Sequence, residues 1–165
     1  MNADGVLVVG YGNALRGDDA VGHHVAELLV TDQRLPGASI LTRHQLTPEL
    51  AMEVAAARLV VLIDARQSDG RPGGVRIQRV VRSGRPIGSH SVDVSALVDL
   101  AELLYGNAPP VVLVTVTAEG FDFGADLSSP VASALPSVVD AVVAVVGTLL
   151  TELAVRDQGP IGVGR

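Results

Sequence analysis

Short apolar runs alternate along this chain with longer segments whose apolar residues recur at helical spacing, a pattern that predicts an α/β fold. Val6 to Val9 read as a first strand that ends at Gly10-Tyr11-Gly12-Asn13. Val21, Val25, Leu28 and Leu29 then share one helical face, at the i, i+4, i+7, i+8 spacing of a helix packed on a sheet. Ser39 to Thr42 read as a short second strand. Thr47-Pro48-Glu49 carries the signs of a helix start: Thr caps, Pro suits the first helical position, and Glu complements the positive helix end. That helix is expected to reach about Ala57.

Leu59-Val60-Val61-Leu62-Ile63 is the clearest buried strand, and Asp64 follows it directly. A polar loop from Gln67 to Gly74 leads to Val75 to Val81, where apolar residues alternate with Arg and Gln as on an edge strand with one wet face. Next comes a Gly/Ser/Pro loop, Ser83 to Ser91, with His90 near its end. A helix from about Val92 to Tyr105 closes at Gly106-Asn107. Val111 to Thr117 form another buried strand, Glu119 to Pro130 a polar connection, and about Ser137 to Val155 a final helix. The sum is a three-layer α/β/α single domain over 1–155. It has a mostly parallel twisted sheet of about five strands, with helices on both faces. The tail, 156–165, is rich in Gly and has little to bury, so it is expected to be disordered.

Composition narrows what such a domain does. Apolar residues make up 48% of the chain but aromatics only 2%, so the core is aliphatic, as strands buried on both faces require. The net charge is −6, and all 12 basic residues are Arg. No basic stripe suits a run of phosphates, so no nucleic-acid partner is expected. The absence of Lys excludes a P-loop lysine and a Schiff base. The absence of Cys excludes disulfides, thiolate ligands and a cysteine nucleophile. There is no basic segment followed by a long apolar stretch at the N-terminus, and Val131 to Val155 is interrupted by Pro136, Asp140 and Glu152. A cytoplasmic protein with no membrane partner is the expectation.

Three residues stand where chemistry is expected. Asp18 and Asp19 follow the tight loop after the first strand, and one of them, Asp18, suits a capping role. Asp64 ends the most hydrophobic strand, where a carboxylate is expensive unless paired or bound to a cation. His90 precedes a helix, flanked by Ser89 and Ser91. In open α/β sheets ligands bind beyond the carboxyl ends of strands. Asp19, Asp64 and His90 would meet on that edge as a mixed O/N set suited to a divalent transition metal, with coordination positions left open. His23 and His24 lie on different faces of one predicted helix; His44, at the end of the second strand, is a further supporting candidate. No separate nucleophile or general base stands out, so the catalytic residues are unassigned. Gly10 and Gly12 match the first two glycines of a dinucleotide fingerprint, but Leu15 replaces the third and Arg43-His44 offers no acid for a ribose. A nucleotide-binding α/β protein using the Gly10–Gly12 turn is the alternative. There is no H-E-x-x-H and no G-x-S-x-G.

Leu7-Val8-Val9-Gly10-Tyr11-Gly12-Asn13 through Asp18-Asp19 resembles the opening motif of the hydrogenase maturation endopeptidases. Ile63-Asp64-Ala65 resembles their second motif, Ser89-His90 before a helix their third, and His44-Gln45-Leu46-Thr47-Pro48-Glu49-Leu50-Ala51 a stretch found in one branch. The resemblance covers nearly the whole chain except the tail. It implies an endopeptidase that removes the C-terminal extension of a nickel-iron hydrogenase large-subunit precursor after nickel insertion. It also implies that Asp19, Asp64 and His90 contact the nickel, which the substrate carries, or another divalent metal in its place. Asp19 stands where some members have Glu, and Ala20 where many have Gly. The peptidyl-tRNA hydrolases share a similar opening, but this chain lacks the basic surface that a tRNA wants. A non-catalytic member of the same fold is the remaining alternative. Gln45 and Glu49 are candidates for shaping the substrate groove.

Overall fold

A computed structural model of the chain describes residues 2–67, 70–84 and 93–157. The buried apolar runs become strands β1 (Val6–Tyr11), β2 (Ser39–Arg43), β3 (Leu59–Arg66), β4 (Val75–Arg79) and β5 (Val111–Thr117). They form one sheet in the order β2-β1-β3-β5-β4. β2, β1, β3 and β5 run parallel, and β4 joins the edge antiparallel to β5. The helices are α1 (Val21–Thr31), α2 (Leu50–Ala56), α3 (Val94–Tyr105) and α4 (Ser129–Asp157).

The two faces of the sheet follow from strict alternation. Val6 and Val8 of β1, Leu59, Val61 and Ile63 of β3, and Val112, Val114 and Val116 of β5 pack under α1 and α4. Leu7 and Val9, Val60 and Leu62, and Val111 pack under α2 and α3. Each fully buried Val or Leu contributes roughly 1.5–3 kcal/mol, so alternation on both faces locks the register. The chain leaves β1 for β2 on one side and returns to β3 on the other. Right-handed crossovers therefore put α1 and α2 on opposite faces. The strand order reverses there, which opens a crevice at the carboxyl ends of β1 and β3.

Close approach of α1 to β1 depends on two glycines. A Cβ on Gly10 would collide with the Gly22 carbonyl group, and one on Gly22 would lie 2.6 Å from the Ile63 carbonyl oxygen. The loop after β1 is therefore drawn tightly onto the end of β3.

Several boundaries differ from the sequence pattern. Leu28 is 42% exposed, while Ala26 takes its place in the core. α2 begins at Leu50, after a tighter turn in which the Leu50 and Ala51 amides bond back to Thr47 and Pro48. α4 begins eight residues before Ser137, with Pro136 inside it. Ser128 accepts the Ala132 amide, so Pro130 falls in the first turn, where a missing N–H costs nothing, and buried Val131 anchors that turn to the core. α4 is long and apolar enough to cross a membrane by length and composition. Val131, Val138, Val139, Val142, Val146 and Leu149 turn one of its faces into the core. The helix extends to Asp157; the remaining tail, 158–165, lies outside the described residues.

Candidate metal-reading site

β1 ends in a loop whose shape is set by Asp19. The Asn13 amide donates to Asp19 Oδ2 (2.9 Å), and Asn13 Oδ1 in turn accepts the Leu15 amide (2.9 Å). Gly12 has φ of +135°, and a Cβ there would press on the Asp19 carbonyl group. Its amide donates to the Arg43 carbonyl (3.1 Å), which ties the loop to the end of β2. His23 Nε2 donates to the Gly12 carbonyl (2.8 Å), so this histidine braces the loop. His24 faces outward, 3.8 Å from Glu27, and His44 is exposed.

The two adjacent aspartates have separate tasks. Asp18 is 1% exposed and sits in a short 3-10 turn, Gly17–Ala20. Its carboxylate accepts from the amides of Glu119 (2.7 Å), Gly120 (3.2 Å) and Ser128 (2.7 Å) and from the Ser128 hydroxyl (2.8 Å). Burial pushes its pKa up, but these bonds outweigh burial and hold it below the usual value. Asp18 thus clamps the β5–α4 connection rather than capping its own helix.

Asp64 lies within β3, one residue further than the sequence pattern places the strand end, because β5 pairs on past it: Asp64 faces Thr115 in the register. β1 and β3 are in register through Gly10 and Ile63, so Tyr11 and Asp64 come next, side by side. Alternation turns both toward the α2/α3 face. Burial pushes the Asp64 pKa up to about 6; hydrogen bonds from the Tyr11 hydroxyl and the Ala65 amide oppose this, and the charge of Asp19 adds to it. Tyr11 is raised far above its ordinary value, first by burial and then by Asp64 and Asp19. Its phenol stays protonated, with Asp64 as its acceptor and Asp19 acting on it through charge alone.

The structure therefore brings Asp19 and Asp64 into one electrostatic cluster. His90 lies outside the described residues. Among the described residues no group of three acids or histidines is arranged to hold a metal ion. Both described flanks of segment 85–92 are fixed to α3. Asp99 accepts from the Ser83 hydroxyl and from the Gly84 amide (3.1 Å), and Asp93 caps the helix by accepting the Ala96 amide (2.7 Å). Tyr11 is the site residue that sequence reasoning passed over. Alternation sets Leu7, Val9 and Tyr11 on one strand face, but only the pairing of β1 with β3 brings Tyr11 beside Asp64.

Residues 37–145 match the model of a family described as HycI, hydrogenase maturation protease. No curated protein matches the chain. Among solved structures, an endopeptidase from Escherichia coli is similar at 25% identity and a TM-score of 0.70, with 93% of each chain covered. A hydrogenase 2 maturation peptidase from a Thaumarchaeota archaeon is similar at 25% identity and a TM-score of 0.67, over 86% of this chain and 97% of that one. The hydrogenase maturating endopeptidase HybD from Escherichia coli, at 22% identity, a TM-score of 0.69 and 93% of each chain, shares the fold.

Proposed function

Because this chain belongs to the hydrogenase maturation protease family, and is thus a peptide hydrolase of hydrogenase maturation, we propose that it removes the C-terminal extension of a nickel-iron hydrogenase large-subunit precursor after nickel insertion. In this reading Asp19, Asp64 and His90 contact the nickel that the precursor carries. The observation that carries it is the pairing of Asp19 with a half-buried Asp64 whose pKa is raised to about 6, at the crevice between β1 and β3. A carboxylate held this way is under-compensated, and a divalent cation restores the balance that burial removed. Two carboxylate oxygens and one imidazole suit nickel and leave positions for the precursor's own ligands. His90 belongs to a segment whose two flanks are fixed to α3, on the sheet face that Asp64 shares, which supports its inclusion.

The chain's own contribution is then recognition and positioning. Without nickel, Asp19 and Asp64 present only negative charge to the precursor and bind it weakly. With nickel, the same charges become ligands, and the metal site fixes the adjoining peptide against the crevice. A bound metal also supplies Lewis-acid polarisation of a nearby carbonyl group. The cytoplasm is the compartment that this reading implies.

The dinucleotide alternative fares worse at the same loop. The space beside Gly12 that a pyrophosphate would need is filled by the Asp19 carbonyl and carboxylate, both of which repel phosphate. The test is a cleavage assay read by intact mass, with precursor from the same source, with and without nickel. Nickel-dependent loss of the extension is expected. Equal cleavage without nickel would remove metal reading, and no cleavage of a competent precursor would leave a non-catalytic member of the fold.

A further inference from the structure

β2 ends the sheet on the β1 side of the crevice. The Gly12 amide donates to the Arg43 carbonyl, so Arg43 turns its backbone groups inward to β1. Leu41 does the same two residues back, and Ile40 and Thr42 therefore point their N–H and C=O groups out along the open edge. The Arg43 guanidinium covers the Thr42 carbonyl (2.9 Å). A groove lies on each side of this edge. Ile40 borders the first, of about 670 Å³, with Leu29, Val30 and Leu35 on the α1 face. Leu41 and Arg43 border the second, of about 370 Å³, with Glu53 and Ala56 of α2. Glu53 Oε2 is sealed from solvent and has no hydrogen-bond partner among the described residues. Such an oxygen is costly, and turning the carboxylate toward a donor in the groove removes the cost.

We propose that β2 is a docking edge for the precursor: an extended segment of its C-terminal region adds to the sheet beside β2 and sets alternate side chains in the two grooves, an apolar one against Ile40 and a basic one against Glu53. This deepens the reading above and rests on it. An added strand bonds to Ile40 and Thr42 through its backbone, which supplies affinity, while the grooves select its side chains. Its line runs to Arg43, which is in register with Tyr11 and tied to the Gly12 turn, so the bound segment leads to the crevice. The opposite edge strand, β4, is separated from the crevice by β5. Glu53 fixes the charge of the guest, because only a donor or a cation repairs its sealed oxygen. A net charge of −6 disfavours a second copy of this chain in the same place.

The test adds the full chain to a nickel-loaded precursor with an uncleavable scissile bond and follows amide exchange residue by residue. In the complex the Ile40 and Thr42 amides are expected to slow by about tenfold or more, while those of Leu41 and Arg43, already turned to β1, change little. Cleavage of normal precursor is measured beside it. Thr42→Pro keeps the ladder to β1, because the Thr42 N–H faces outward, and blocks the edge. Its kcat/KM should fall by about tenfold or more, with the melting temperature near wild type. Glu53→Gln should raise KM by about tenfold. Cleavage by Thr42→Pro at the wild-type rate, or an equal change at all four amides, overturns the docking edge and leaves the protease reading standing. A KM unmoved by Glu53→Gln overturns the basic guest. Slow exchange at Ile40 and Thr42 in the chain alone, with self-association, gives the edge to a second copy and overturns the proposal as well. A wild-type chain that neither binds nor cleaves the precursor removes the protease reading and this proposal with it.

Discussion

Asp18 and Asp64 are both aspartates on the same end of the sheet, yet their surroundings are opposite. Asp18 is sealed in a socket of three backbone amides and a hydroxyl, which hold it ionised. Asp64 is half-buried with fewer donors and a like-charged neighbour, and its pKa rises to about 6. The first arrangement engages both carboxylate oxygens in the fold. The second leaves a carboxylate whose compensation must come from elsewhere. Buried charge alone does not mark a functional site; the balance between burial and donors does.

The comparison is broken or sharpened first at the site. Asp19→Ala and His90→Ala should each lower processing by about 100-fold or more with an unchanged circular dichroism spectrum, an effect beyond that of a mere supporting partner. Full processing by both would sink the ligand assignment. Asp18→Ala should act on stability instead. Three buried amides lose their acceptor, and chemical denaturation should show a loss of about 3 kcal/mol or more. A small loss there would mean that the socket is not a clamp.

The pH dependence of stability should separate the two acids by sign. Asp18, held below its usual value, contributes stability that is present above its unfolded pKa near 3.8 and is lost as pH falls through its folded value. Asp64 is raised, so its contribution is present below its unfolded value of 3.8 and is lost as pH rises through about 6. Urea titrations from pH 4 to 7 should thus show a decline of up to about 3 kcal/mol that Asp64→Asn abolishes. A decline that survives in the variant belongs to another group. Smallest of all, Gly10→Ala should cost about 1–3 kcal/mol by driving a methyl group into the Gly22 carbonyl. A neutral result would show that α1 yields easily.

The sequence made much of this legible, and unevenly. β1, β3 and β5 announce themselves because burial on both faces leaves near-continuous aliphatic runs. β4 reads as an edge from the Arg and Gln that alternate with its apolar residues; the structure places it at the edge but leaves all five residues exposed, not one face alone. What stayed hidden was tertiary in origin. The start of α4 was obscured by Pro136, which reads as a helix break yet is tolerated where Val131 anchors the turns before it. Asp18 looked like a helix cap because its real donors lie about a hundred residues away, in the connection after β5. Asp19 and Asp64 were legible from their places at strand ends. Tyr11 was not, because only the pairing of β1 with β3 puts it beside Asp64.

The most direct measurement is the processing rate of Asp64→Asn against wild type on nickel-loaded precursor, followed by intact mass alongside the melting temperature. The account predicts a variant that is at least as stable as wild type and leaves the extension in place. A variant that cleaves at the wild-type rate would contradict it, and would make Asp64 one more buried acid of the scaffold.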